Sequence, residues 1–157
     1  MFKVAIGQDS HRFDFENPGK RLVLGGVVFD GPGLSGNSDA DVVLHALTNA
    51  ISGITGVNIL GGIADKLCLN EGITDSSVYV REALKYLNGK ICHVSFSIEC
   101  RKPKITPKIP DMKKSIANLL DIEEKDVGIT ATTGEGLTDF GKGLGIQCFC
   151  IVTASDA

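Results

Sequence analysis

The segment FKVAIGQDSHRF, residues 2–13, joins a strand pattern to an acid and a histidine placed two positions apart. Its first half, residues 2–7, is apolar and rich in β-formers, which predicts a strand. Side chains two apart in a strand point to the same face, so Asp9 and His11 share a face if the strand continues past Gly7. The chain has only three histidines, and we interpret this one as a candidate ligand. A simple loop hydrogen bond between Asp9 and His11 is the alternative.

A second polar cluster lies in NSDADVVLHAL, residues 37–47. The apolar spacing from Asp39 to about Ile54 predicts a helix. Ser38 is the predicted N-cap of this helix, and Asp41, three positions later, makes a loose match to a capping box.

The polar residues of this predicted helix recur on one side. Ser38, Asp41 and His45 fall on a single stripe. If that stripe faces Asp9 and His11, two imidazoles and one carboxylate meet. This donor set suits a zinc ion with one open coordination position. The two segments are far apart in the sequence, so a structural role for each residue is the alternative.

The segment TATTGEGLTDFGKGLGI, residues 130–146, contains a partial match to a phosphate-binding P-loop. Gly136, Gly141 and Lys142 have the P-loop spacing, but Gly143 stands where a Ser or Thr is needed to hold magnesium. A β-branched and aromatic run follows, whereas a P-loop leads into a helix. We therefore interpret the match as coincidental.

The same segment has a second interpretation, as a strand that ends in Thr132 and Thr133 and a glycine-rich turn that carries Glu135. Hydroxyls and free backbone amides suit phosphate oxygens, and a carboxylate suits Mg²⁺ shared with a diphosphate. A plain hairpin loop, with glycines that serve only the turn geometry, is the alternative.

The length of 157 residues predicts a single domain over 1–157, and the net charge of −3 gives no electrostatic reason to expect nucleic-acid or membrane binding. Strand and helix patterns interleave, which predicts an α/β sandwich with helices on one face of the sheet. Five cysteines without a CxxC pair are typical of reduced thiols. Since the N-terminus lacks a signal-peptide pattern, we expect a cytoplasmic protein of bacterial type, or a mature plastid form.

Five segments together resemble a known family. GQDSHRF, LVLGGVVF, NSDADVVLHALTNAISG, KPKITPKIPDM and ATTGEGL…GKGLGI occur in the order and spacing of the 2-C-methyl-D-erythritol 2,4-cyclodiphosphate synthases, over nearly the whole chain. The resemblance implies an α+β fold, namely a two-layer α/β sandwich with a mixed sheet and a ferredoxin-like arrangement. It also implies a homotrimer with active sites between subunits.

The resemblance further implies a reaction of non-mevalonate isoprenoid biosynthesis. In it, 4-diphosphocytidyl-2-C-methyl-D-erythritol 2-phosphate becomes the 2,4-cyclodiphosphate and releases CMP. The implied catalytic residues are Asp9, His11 and His45, which hold Zn²⁺ or another divalent transition metal, and Glu135, which holds Mg²⁺ or Mn²⁺. The implied substrate-binding residues are Asn37, Ser38, Gly62, Ala64, Cys100, Pro103, Lys104, Ile105, Thr106, Thr132 and Thr133. Phe140 and Lys142 are the implied contacts of a ligand on the trimer axis.

The sequence departs from this family at three positions. Asn37 stands where most members have a histidine, and an amide cannot carry positive charge. The acid that contacts the ribose in the family falls near Gly62, which has no side chain. Lys142 replaces a common arginine and loses bidentate geometry. A trimeric binding protein without catalytic activity and a P-loop-like nucleotide hydrolase are the two other function classes that we consider.

Overall fold

The computed structural model describes residues 1–156, and within them the chain forms six β-strands and four α-helices. The strands are β1 (Phe2–Arg12), β2 (Leu22–Leu24), β3 (Val27–Phe29), β4 (Lys90–Glu99), β5 (Val127–Thr132) and β6 (Gly145–Ser155). The helices are α1 (Val42–Thr55), α2 (Gly62–Asp65), α3 (Ser76–Leu84) and α4 (Ile109–Leu120), and a π-helical turn, Lys66–Asn70, follows α2. Among these residues, no helix combines the length and apolar character that crossing a bilayer requires.

Four strands form one mixed sheet in the order β1-β6-β4-β5. β6 is antiparallel to both β1 and β4, and β4 is parallel to β5. The carboxyl ends of β1, β4 and β5 therefore lie at the same end of the sheet, while β1 and β5 form its opposite edges. The mixed sheet predicted from the family resemblance is confirmed, and its strand order is new information.

The helices cover one face of this sheet. Along β6, Ile146, Cys148, Cys150 and Val152 are completely buried, and the residues between them point to the other face. That other face carries exposed apolar side chains on two adjacent strands: Phe2, Val4, Ile6, Phe149 and Ile151. The two-layer prediction is confirmed, and the uncovered face of the sheet carries an apolar patch on β1 and β6.

The short strands β2 and β3 form a hairpin that is attached to the start of α1. Gly25 and Gly26 connect the strands with positive φ at both positions, as a tight type I′ turn requires. Their N–H groups donate to Asp41 Oδ1 and Oδ2, each at 2.8 Å. Asp41 Oδ1 also accepts from the N–H of Leu44 at 3.0 Å. Asp41 is fully buried, and this burial raises its pKa to about 6.

This arrangement corrects the predicted start of the helix. Asp41, and not Ser38, is the N-cap of α1. The Ser38 hydroxyl accepts from the N–H of Ala40 at 3.0 Å, and Ala40 has a φ of 55°, so the chain reaches the helix only at Val42. The single polar stripe is also wrong, because the Asp41 side chain points to the hairpin and not to Asp9.

The P-loop interpretation fails at the segment that follows Lys142. The chain enters β6 at Gly145, where a P-loop needs a helix whose N-terminus binds phosphate.

Candidate functional site

Asp9, His11 and His45 converge at one end of β1. Asp9 Oδ2 lies 2.8 Å from His11 Nε2 and 3.2 Å from His45 Nδ1. The two ring nitrogens are 3.4 Å apart. His45 is almost fully buried, and the side chains of Asp9 and His11 are about one-fifth exposed. Three donor atoms therefore face one small volume that solvent can reach from one side.

The fold brings these three residues together through a close contact between β1 and α1. Asp9 and His11 lie opposite Cys148 and Ile146 of β6, so their side chains point toward the helical layer. Gly7 of β1 and Gly53 of α1 allow the strand and the helix to approach each other closely. A Cβ on Gly7 would overlap the backbone of α1, and a Cβ on Gly53 would lie 2.9 Å from the Cβ of Ala5. This is the placement predicted from the strand and helix periods.

The remaining nitrogen of each ring also has a partner. His11 Nδ1 donates to the backbone oxygen of Ser35 at 2.8 Å, since a carbonyl only accepts. His45 Nε2 lies 2.9 Å from the hydroxyl oxygen of Ser76 and 3.4 Å from that of Ser38. The Ser76 hydroxyl donates to the carboxylate of Asp39. Both rings are therefore oriented with one nitrogen toward the cluster and the other bonded outside it.

Asp39 and Ser76 are functional candidates that the sequence interpretation did not identify. They lie 37 positions apart, and Ser76 opens α3. No spacing rule connects two residues on separate helical starts. The only sequence signal is the dense run of polar residues around Asp39, which is equally typical of helix capping.

Asp9 and His11 shift each other's pKa. Burial alone would raise the pKa of Asp9, but hydrogen bonds and the positive charge from His11 and His45 outweigh burial and lower it. Burial alone would lower the pKa of His11, but the hydrogen bond and charge of Asp9 raise it. Each of the two groups therefore stabilises the charged form of the other.

The donor chemistry of the cluster fits a divalent transition metal. One carboxylate oxygen and two imidazole nitrogens all lie within 4.8 Å of one another. Zinc binds both ligand types, and three protein ligands leave one position open for a substrate oxygen. A hard cation such as Mg²⁺ prefers oxygen ligands only, so the two nitrogens favour zinc or a similar ion.

A second group of predicted residues lies on the opposite edge of the sheet, at the end of β5. Thr132 and Thr133 are exposed, and their hydroxyls accept from the N–H groups of Gly134 and Glu135 at 3.1 and 3.4 Å. Glu135 is exposed and has a φ of 54°. The turn is held by Glu99, whose carboxylate accepts from the Thr138 hydroxyl at 2.7 Å.

The loop from Cys100 to Thr106 lies beside this turn. The N–H of Cys100 donates to the oxygen of Thr132 at 3.1 Å. Cys100 and Ile105 are buried, Pro103 is half-buried, and Lys104 and Thr106 are exposed. The loop borders a cavity of about 580 Å³ whose other lining residues include Phe13, Phe15, Leu22 and Lys142.

The remaining predicted residues lie in separate segments of the chain. Asn37 is exposed, and its backbone oxygen accepts from the Cys68 thiol at 3.0 Å. Gly62 is exposed and Ala64 is buried, both in α2. Phe140 is half-buried, and Lys142 is exposed. The substrate and trimer-axis roles of these residues stay predictions.

Comparisons with known proteins agree on one family. The family model described as the YgbB family matches residues 2–155. A 2-C-methyl-D-erythritol 2,4-cyclodiphosphate synthase of Chlamydia caviae is 52% identical over 159 residues, covering 99% of this chain and 90% of the relative. One of Chlamydia abortus is 53% identical over 156 residues, covering 98% of this chain and 89% of the relative.

Solved structures give the same picture at lower identity. The structure described as IspF of Plasmodium falciparum in a CDP complex has a TM-score of 0.83 and 25% identity, covering 99% of this chain and 97% of that chain. The bifunctional IspDF of Campylobacter jejuni has a TM-score of 0.88 and 26% identity. That comparison covers 99% of this chain and 43% of the longer bifunctional chain.

Proposed function

The chain belongs to the YgbB family, and we infer that it is an enzyme of isoprenoid biosynthesis that catalyses the reaction of its cyclodiphosphate synthase relatives. The substrate is 4-diphosphocytidyl-2-C-methyl-D-erythritol 2-phosphate, and the products are 2-C-methyl-D-erythritol 2,4-cyclodiphosphate and CMP. The observation that carries this inference is the convergence of Asp9, His11 and His45 on one point, in a chain related to these enzymes over nearly its full length.

The reaction is an intramolecular phosphoryl transfer. An oxygen of the 2-phosphate attacks the β-phosphorus of the diphosphate, and the bond from that phosphorus to the bridging oxygen breaks. CMP leaves with the electron pair, no water is consumed, and the enzyme is therefore classed as a phosphorus–oxygen lyase. Such transfers need charge neutralisation and in-line alignment more than a protein nucleophile. Positioning of a flexible substrate can contribute about 7–11 kcal/mol.

Two cation sites fit this chemistry. Asp9, His11 and His45 would hold Zn²⁺, and Glu135 would hold Mg²⁺ or Mn²⁺. Bound cations of this kind polarise phosphate oxygens and neutralise the charge that develops on the leaving group. The chain's own contribution is to keep two ring nitrogens and one carboxylate oxygen aimed at the same point, which requires both histidines to be neutral.

The substrate-binding residues have roles that match their chemistry. The hydroxyls of Thr132, Thr133 and Ser38 can donate to phosphate oxygens. Backbone groups of the loop from Cys100 to Thr106 would hold the cytosine, and Lys104 of the same loop, which is exposed and lines the adjacent cavity, would meet a phosphate. Asn37 can donate one hydrogen bond in place of the charge that a histidine would bring.

We propose that the active enzyme is a homotrimer whose sites lie between subunits. The Asp9–His11–His45 cluster lies on the β1 edge and Glu135 follows β5 at the other edge. Three interstrand spacings separate these edges by about 14 Å, too far for one chain to place both on one diphosphate. The exposed apolar face of β1 and β6 supports burial against other copies.

The decisive test is release of CMP from the diphosphocytidyl substrate. His45→Ala should abolish zinc binding and product formation together, whereas His93→Ala, which removes an exposed histidine on β4, should change neither. Glu135→Gln should retain zinc and lose turnover, with the exposed Glu124→Gln as its control. Wild-type protein that binds zinc and CDP but releases no CMP would refute catalysis in favour of a binding protein. Full activity of His45→Ala would refute the role of the cluster.

A further inference from the structure

Both nitrogens of the His45 ring have partners, and only one of them faces the cluster. Nδ1 lies 3.2 Å from Asp9 Oδ2, and Nε2 lies 2.9 Å from the Ser76 hydroxyl oxygen. A neutral imidazole carries one proton, and only the nitrogen without that proton can bind a metal. The tautomer of His45 therefore decides whether Nδ1 can act as a ligand.

The direction of the Ser76 hydroxyl is set by Asp39. The hydroxyl donates to Asp39 Oδ1, and the backbone N–H of Ser76 donates to Asp39 Oδ2 at 3.2 Å. Asp39 Oδ1 also accepts from the backbone N–H of Asp41 at 3.0 Å. An ionised carboxylate only accepts hydrogen bonds. The hydroxyl proton therefore points to Asp39, and an oxygen lone pair points to His45.

Two acceptors therefore face the His45 ring, the Ser76 oxygen at Nε2 and the Asp9 carboxylate at Nδ1. A cation bound to Asp9 occupies that carboxylate, so the Ser76 lone pair is the acceptor that remains, Nε2 carries the proton and donates it, and Nδ1 keeps its lone pair for the cation. We propose that Asp39 and Ser76 are positioning residues that hold His45 in the Nε2-protonated tautomer, so that Nδ1 can bind the divalent cation. This inference rests on the proposed metal site and adds two residues to it.

The outward ring nitrogens of the two histidines have different kinds of hydrogen-bond partner, and only the partners of His45 can be changed by substitution. His11 Nδ1 donates to the backbone oxygen of Ser35, which no side-chain change removes. The His45 tautomer depends instead on two side chains, and Ser76 is completely buried. Solvent therefore has little access to replace the Ser76 hydroxyl if it is lost.

Asp39 and Ser76 also have a structural function that the experiment must separate. The backbone N–H of Asp39 donates to the oxygen of Thr74 at 2.9 Å, so this region joins the starts of α1 and α3. Asp75 is the N-cap of α3 and accepts from the N–H of Ser77 at 2.9 Å. Asp75→Ala therefore weakens the start of α3 without removing a partner of His45, and it is the matched control.

The first measurement needs no substitution. Nitrogen-detected NMR of the zinc-loaded wild-type protein reports which nitrogen of His45 is protonated. We expect the proton on Nε2. A proton on Nδ1 would overturn the proposal directly, whatever the behaviour of any variant.

The second measurement is zinc affinity by competition with a chromophoric chelator. In Asp39→Asn the amide can donate to the Ser76 oxygen, which turns the hydroxyl proton toward His45 Nε2 and favours the Nδ1-protonated ring. We expect Asp39→Asn and Ser76→Ala to lose about tenfold to hundredfold in zinc affinity. Asp75→Ala should remain within about threefold of wild type, and Ser76→Thr, which keeps the hydroxyl, should recover most of the affinity lost in Ser76→Ala.

The outcomes separate this proposal from the proposed function. Wild-type protein that binds no zinc refutes the metal site itself. Zinc affinity of Asp39→Asn and Ser76→Ala equal to wild type refutes only the positioning role. An equal loss in Asp75→Ala shows that weakening α3 is sufficient, and this result also overturns the positioning role. The spectrum of bound Co²⁺ gives a readout independent of turnover, and we expect it to change in Asp39→Asn and not in Asp75→Ala.

Discussion

Gly7 of β1 lies directly against the backbone of α1 at Ala46, so closely that a Cβ on Gly7 would overlap the Ala46 carbonyl oxygen. The two elements carry different parts of the cluster: Asp9 and His11 lie on β1, and His45 lies on α1. The spacing of strand and helix at Gly7 therefore sets the distance between the carboxylate and the buried imidazole.

Gly7→Ala should separate β1 from α1, because the obstructing atoms belong to the backbone and cannot rotate away. We expect the free energy of unfolding to fall by about 1–3 kcal/mol and zinc affinity to fall with it. Urea titration and chelator competition measure the two quantities. Gly19→Ala, where the added Cβ meets nothing closer than 3.8 Å, is the control and should stay within about 0.5 kcal/mol of wild type. Equal effects at Gly7 and Gly19 would contradict the close contact.

The metal-free protein should show a pH window of extra stability from the Asp9–His11 pair. The lowered pKa of Asp9 gives stability that is present above its ordinary value of 3.8 and is lost as the pH falls through the lowered value. The raised pKa of His11 gives stability that is present below 6.5 and is lost as the pH rises through the raised value.

We therefore expect the stability difference between wild type and His11→Gln to be greatest between the ordinary pKa of Asp9, 3.8, and that of His11, 6.5, and to shrink as the pH rises through the raised pKa of His11. Urea unfolding with a chelator present measures this difference. Asp9→Asn should remove the same window, since it removes the other partner. A difference that does not vary with pH would contradict the ion pair.

Two glycines flank Glu135 and provide a matched pair of substitutions. Both Gly134 and Gly136 have positive φ, 65° and 73°, so alanine at either position costs about 1–2 kcal/mol of backbone strain. Only at Gly134 would the new Cβ also overlap the Glu99 carboxylate, and nothing lies within 4 Å at Gly136.

Gly134→Ala should therefore displace Glu99, break its hydrogen bond to Thr138 and shift the turn that carries Glu135. We expect its magnesium-dependent kcat to fall at least about tenfold, the equivalent of losing one well-placed interaction. Gly136→Ala should lose about as much stability as Gly134→Ala, because both positions have positive φ, but it should keep a higher kcat than Gly134→Ala. The measurement is CMP release at saturating magnesium, and equal kcat values in the two variants would contradict the clamping role of Glu99.

The exposed apolar face of the sheet predicts that a charge at Val4, and not one at Val28, prevents trimer formation. Val4 is 66% exposed on this face, and Val28 is 44% exposed on the β2–β3 hairpin. Val4→Glu places a charge where we propose that subunits meet, and burial of an unpaired charge is costly. Light scattering after gel filtration should show a smaller species for Val4→Glu and an unchanged trimer for Val28→Glu. A Val4→Glu protein that remains trimeric would place the interface elsewhere.

Local periodicity indicated Asp9, His11 and His45 as candidate ligands, with a structural role for each as the alternative. The two-residue spacing of Asp9 and His11 defines a strand face. In the sequence, His45 belongs to the predicted helix from Asp39 to about Ile54, whose polar positions could face Asp9 and His11. The direction of Asp41 was not predictable from the same spacing. Its carboxylate is bound by the hairpin turn at Gly25 and Gly26, and such a contact appears only once the hairpin packs on the helix.

Asp39 and Ser76, the hydrogen-bond partners behind His45, were not predicted, and the reason is similar. Asp39 and Ser76 meet because the starts of α1 and α3 are adjacent in space, and no local pattern encodes that contact. The segment 62–70 was also not predicted as helical. It forms α2 and a π-helical turn, and the glycine pair Gly61–Gly62 at its start and its mixed polarity gave no amphipathic period.

The Asp9–His11–His45 cluster and Glu135 lie at opposite edges of the sheet, and this position has a consequence for mixtures of inactive chains. A His45→Ala chain keeps an intact β5 edge, and a Glu135→Gln chain keeps an intact β1 edge. If subunits assort at random in a head-to-tail ring, about a quarter of the interfaces would join the two intact edges. The inactive His45→Ala and Glu135→Gln proteins, mixed in equal amounts, should therefore complement each other and regain about a quarter of wild-type turnover. Continued inactivity after demonstrated subunit exchange would place each complete site within a single chain.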